Sequence, residues 1–82
     1  MTGRATLTTQ PRGGDYVLLP TGYSWNVRRS HGDGAASSIS EGDRDRRTAL
    51  SKVLSLAETD HTDAWETAGT GEFWRVGQFR GE

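Results

Sequence analysis

The 82-residue chain contains no cysteine. That absence removes disulfides, a thiolate nucleophile and thiolate-held metals together, so the fold is expected to rest on packing alone, as in a cytoplasmic protein. Lysine is nearly absent as well, with Lys52 alone against nine arginines, a bias typical of coding in G+C-rich genomes such as those of actinobacteria and their phages. Large aliphatics and phenylalanines are scarce: six Leu, one Ile, four Val and two Phe. So thin a supply borders on that of disordered chains. No apolar run approaches the length of a bilayer span, and Met1 to Gln10 lack the apolar centre of a signal peptide, so neither secretion nor a membrane partner is expected. Net charge is also missing: at -1 the chain has no overall positive field to attract nucleic acid and no self-repulsion to hold it open.

Three Trp and two Tyr argue for a folded core, because rings bury much area per residue. The length suits one domain. Residues 1–14 are polar and without hydrophobic period, which predicts an N-terminal arm, with a single domain over 15–79 and a tail at 80–82.

Within that domain Tyr16-Val17-Leu18-Leu19 reads as a strand, and Pro20-Thr21-Gly22 as a three-residue hairpin loop. Tyr23, Trp25 and Val27 then alternate with Ser24, Asn26 and Arg28 as a second strand. This register sets Leu19 opposite Tyr23 and Val17 opposite Trp25 on one apolar face, and leaves Tyr16 and Leu18 on the other. Ala35 to Ser40 is expected to return as a weaker third strand, with Ile39 beside Trp25. From Asp43 to Glu58 the stripe Ala49, Leu50, Val53, Leu54, Ala57 has helical period, with Asp43 or Ser40 as its cap. Ala64 to Thr67 and Glu72 to Val76 read as a terminal hairpin whose four-residue loop pairs Trp65 with Trp74. The expected class is therefore α+β: a small antiparallel sheet in the order β-β-β-α-β-β with one helix packed on one face.

Nothing in the sequence assembles into a reaction centre. His31 and His61 lie in polar, acid-containing stretches that lack the three or four converging ligands of a metal site. Serines are plentiful, but no strained elbow or oxyanion hole accompanies them. We expect no enzyme activity, cofactor or metal. Two binding surfaces remain. One helix covers only one side of a sheet, and aromatic character falls on both sides, so the uncovered side is expected to bind a protein partner or a second copy through Tyr16, Leu18, Phe73 and Trp74. The alternative is nucleic-acid binding through Arg28, Arg29 and Arg75 with a neighbouring ring. Arg12-Gly13-Gly14 is a single RGG-like element, and Arg44, Arg46 and Arg47 alternate with Asp43 and Asp45 as a charge-paired turn.

Trp25-Asn26-Val27-Arg28-Arg29, Ser37-Ser38-Ile39 and the helix residues Ala49 and Leu56-Ala57 together resemble the small bacterial proteins of domain of unknown function 2188. The resemblance spans roughly Tyr16 to Val76. It implies the same strand and helix order and carries over no site residues. In outline only, three strands followed by a helix also resemble the arm-type DNA-binding domains of some integrases.

Overall fold

The computed structural model describes residues 10–80. It contains β1 (Tyr16–Thr21), β2 (Ser24–Ser30), β3 (Ala36–Asp43), α1 (Arg46–Asp60), β4 (Ala64–Thr67) and β5 (Phe73–Gly77), in the order read from the sequence. The strands make one sheet, β3-β2-β1-β4-β5. Its ladders are antiparallel except at the centre, where β4 runs parallel to β1 with Tyr16 opposite Ala64 and Leu18 opposite Glu66. The helix is the cause: α1 carries the chain back across the sheet, and β4 then starts from the same end as β1. The sheet is thus mixed.

The first hairpin is tighter than expected. Thr21 pairs with Ser24, which leaves Gly22-Tyr23 as a two-residue turn. Gly22 has φ +72, the conformation needed at the first central position of a type II′ hairpin turn. Pro20 does not open the turn but lies in β1 opposite Trp25. It is tolerated there because the pair next to the closing pair of a two-residue loop does not exchange hydrogen bonds. Its ring nitrogen therefore points away from β2, towards a side where pairing with β4 has already ended at Leu18.

This register reverses the facing of β1. Leu18 lies opposite Val27, and Tyr16 opposite Arg29. Tyr16 and Leu18 therefore turn towards the helix and join Val27, Ala49, Val53, Ala57 and Ala64 in the core, with Trp25, Leu50, Leu54, Leu56, Val76 and Phe79 packed around them. Val17 and Leu19 take the opposite face, and Tyr23, expected in the core, is fully exposed at the turn.

β3 meets β2 through two irregularities that bring Ser40 opposite Val27 and Asp43 opposite Trp25. Ile39 falls between paired positions and is 45% exposed instead of packing beside Trp25. The helix starts later than expected. Its cap is Asp45, whose Oδ2 accepts the Thr48 amide at 3.1 Å, while Asp43 instead holds Lys52. At the other end His61 takes a left-handed conformation, φ 57. Its amide bonds Glu58 O, and the Thr62 amide bonds Ala57 O at 2.9 Å, the two bonds of a Schellman motif. The buried stripe Ala49, Val53, Ala57 is the one its period predicts.

Both segments flanking the sheet are tied to it. Gly14 donates to Ser30 O at 2.7 Å, extending the β1–β2 pairing into what the sequence assigns to the arm. The Phe79 and Arg80 amides both donate to Asp63 Oδ1, so the chain after β5 is held as far as Arg80. Gly77 is the point of closest approach in this strap: a Cβ there would lie 2.7 Å from both Leu54 Cδ2 and Phe79 Cε2. Residues 1–9 of the expected arm lie outside the described residues.

Candidate functional site

The side of the sheet away from α1 carries Val17 and Leu19 from β1, Arg28 from β2, Trp65 and Thr67 from β4, and Phe73 and Arg75 from β5, as their pairing requires. Here the strand registers enclose a cleft of about 300 Å³, at the lower end of the range for ligand sites. Val17, Leu19 and Phe73 supply its larger apolar side chains, and glycines and an alanine from the turns after β2 and β4 line it as well. Gln10 and Pro11 form part of the wall. The hydroxyls along it are already engaged: Ser30 Oγ accepts the Gly32 amide at 3.1 Å, and Thr67 Oγ1 donates to Glu72 O at 2.6 Å while accepting the Gly69 amide at 3.0 Å.

Trp65 lies on this same side yet is only 2% exposed. The Arg75 guanidinium lies 4.8 Å above its ring, and its indole nitrogen donates to Asp15 Oδ2 at 3.0 Å. Asp15 is fully buried and saturated. Its carboxylate also accepts the Arg12 and Asp63 amides and the Arg80 guanidinium. Burial alone would raise the Asp15 carboxyl, but these hydrogen bonds together outweigh it and hold it below the ordinary aspartate value. Arg75 in turn pairs with Asp63 at 3.5 Å.

Of the four residues expected at a partner surface, Phe73 alone lies on the open face. Tyr16 and Leu18 are buried beneath the helix at 4% and 0% exposure, because the tighter hairpin shifts the β1 register by an odd number of residues. Trp74 lies on the helix side. The loop between β4 and β5 has five residues rather than four, so Thr67 pairs with Phe73 and Trp74 falls opposite Glu66, not Trp65. There the Trp74 indole donates to Glu66 Oε1 at 3.0 Å, while Arg46 grips both carboxylate oxygens at 2.7 Å. Arg46 is the main cause of a depressed Glu66 carboxyl; burial opposes it, and the Trp74 bond adds to it.

The three arginines of the alternative reading are also divided. Arg28 and Arg75 are on the open face, whereas Arg29 is on the helix side, 5.3 Å above the Tyr16 ring and 3.7 Å from Asp60. Arg28 is exposed and has no hydrogen bond or ion pair among the described residues.

The sequence reasoning missed Val17 and Leu19 as open-face residues. The available signal was Gly22-Tyr23, whose Gly-first order suits a two-residue turn and fixes the opposite facing. His31 Nε2, on the exposed turn after β2, and Ser37 Oγ, on β3, lie 2.7 Å apart, but the Asp33 carboxylate accepts the Ala35 amide and completes no relay with them. Among the described residues no cluster of three or more acids and histidines is placed to hold a metal ion, and no helix is long and apolar enough to cross a membrane.

Comparison with known proteins adds no relative: no family model, no curated protein and no solved structure matches the chain.

Proposed function

We propose that this domain is a non-enzymatic interaction module that takes a segment of a partner protein, or of a second copy of itself, on the helix-free side of its sheet. The observation that carries the reading is the pairing of Leu19 and Phe73, two half-buried apolar side chains that the helix does not cover, around a cleft in an otherwise lightly built domain. Interaction sites concentrate such uncovered side chains within a polar surround.

The nucleic-acid reading has weaker support. Arg29 and Arg75 already have acidic partners, which leaves Arg28 as the one guanidinium of the three without a partner among the described residues. A single phosphate contact gives a salt slope near -0.9, against the roughly 6–10 contacts of effective DNA binders.

The reading is tested by selecting a phage-displayed random dodecapeptide library on the full 82-residue chain. Peptides are expected that lose binding to Phe73→Ser but keep it with Trp74→Ala, since these neighbours face opposite sides. A selection with no Phe73-dependent peptide removes the reading, unless sedimentation shows a dimer that Phe73→Ser dissociates, in which case the partner is a second copy.

A further inference from the structure

The charges around the cleft are one-sided. Its lining contains a single ionisable side chain, Arg28, and no Asp or Glu. This happens in a chain whose acids outnumber its bases, and whose other sheet arginines are both neutralised, Arg29 by Asp60 and Arg75 by Asp63. Glu41, on the neighbouring strand β3, accepts Ser38 Oγ at 2.7 Å and makes no ion pair with Arg28 among the described residues. Among the described residues nothing engages this exposed guanidinium beside an apolar cleft, and its five donors are open to an incoming group.

Resting on the interaction reading above, we propose that the segment received by the cleft is acidic: an Asp or Glu carboxylate meets Arg28, and an adjacent apolar side chain packs against Leu19 and Phe73. A carboxylate fits better than a phosphate ester. A guanidinium pairs bidentately with either anion, so the distinction lies in the number of cations: the single one lining the cleft suits one singly charged carboxylate, whereas a phosphate-bearing chain gains its affinity from many. Of the cleft's two hydroxyls, Thr67 spends its proton on Glu72 O, while Ser30 Oγ accepts the Gly32 amide and keeps its own proton as one further donor to an incoming carboxylate.

The dodecapeptides recovered on Phe73 are synthesised in two forms, with each Asp or Glu kept or replaced by Asn or Gln, and titrated by fluorescence anisotropy against the wild-type chain and Arg28→Gln. Arg28 is exposed and has no partner among the described residues, so its replacement is expected to leave thermal unfolding unchanged and any loss of binding is local. The expected result is a loss of about tenfold from either change, without further loss when both are combined, because the two remove one interaction. Phe73-dependent peptides that lack an acid and bind Arg28→Gln equally well overturn this inference and leave the interaction reading standing. Recovery of no Phe73-dependent peptide overturns this inference, and the interaction reading with it unless sedimentation shows a dimer that Phe73→Ser dissociates; Arg28-dependent binding of fluorescein-labelled oligo(dT) in place of peptides overturns both.

Discussion

The Trp65 indole donates to Asp15 Oδ2 at 3.0 Å, joining positions that are 50 residues apart in the chain. That bond closes a buried set in which Asp15 also receives two amides and Arg80, and Asp63 receives two amides and Arg75. One side chain thus fixes the entry to β1, the start of β4 and the strap after β5.

Asp15→Asn is expected to destabilise the domain by about 2–4 kcal/mol in urea unfolding. An amide offers one acceptor oxygen to four donors, and it leaves the partly buried Arg80 charge without its partner. The acid limb should change as well. Asp15 and Glu66 have folded values below their ordinary 3.8 and 4.5, so in the window between folded and unfolded values the unfolded chain binds more protons. Their contribution is complete above those ordinary values and is lost as pH falls through the lower folded ones. The urea midpoint of the wild type should therefore hold from pH 7 to about 5 and fall below about 4, with a shallower fall in Asp15→Asn. An acid limb unchanged by the substitution would contradict the assignment.

Leu18 and Leu19 provide a direct check of facing. Leu18→Ala empties a fully buried position beneath the helix and is expected to cost about 2–4 kcal/mol, whereas half-buried Leu19→Ala should cost under about 1.5 kcal/mol. Equal losses, or a reversed order, would mean that the hairpin register is the slipped one.

The adjacent leucines also show why the sequence was only partly legible. The stripe Ala49, Leu50, Val53, Leu54, Ala57 is a local period of one helix, and it reads the same whatever the helix packs on. Strand facing has no such independence. Pro20-Thr21-Gly22 reads as a loop because Pro suits the opening of a type I turn, but a strand accepts Pro20 where the neighbouring pairing has ended, and the odd shift that follows moves Tyr16 and Leu18 from one side to the other. A single extra residue in the loop after Thr67 likewise separates Trp74 from Trp65. The bulged residue Ile39 left no periodic trace at all. Phe73 kept its expected side, and the cleft beside it needed the corrected β1 register to become visible.

His61→Gly should stabilise the chain by roughly 0.5 kcal/mol. His61 adopts φ 57 at a Schellman terminus, where a side chain costs about 1 kcal/mol and glycine's greater unfolded freedom returns part of the gain. A rise of a few degrees in Tm, with the peptide affinities unchanged, is the expected outcome; a fall would show that the imidazole makes a contact worth more than the backbone strain.

The parallel contact between β1 and β4 governs when the domain can assemble. The strand at the middle of the sheet is made first, yet one of its flanks must wait for residues 64–67, on the far side of two other strands and a helix. Until they arrive, Tyr16 to Leu18 present an unsatisfied backbone edge. Such late, long-range closure slows folding and leaves the nascent chain open to mispairing, so on the ribosome the N-terminal three strands and helix form an unfinished layer that the last quarter of the sequence seals.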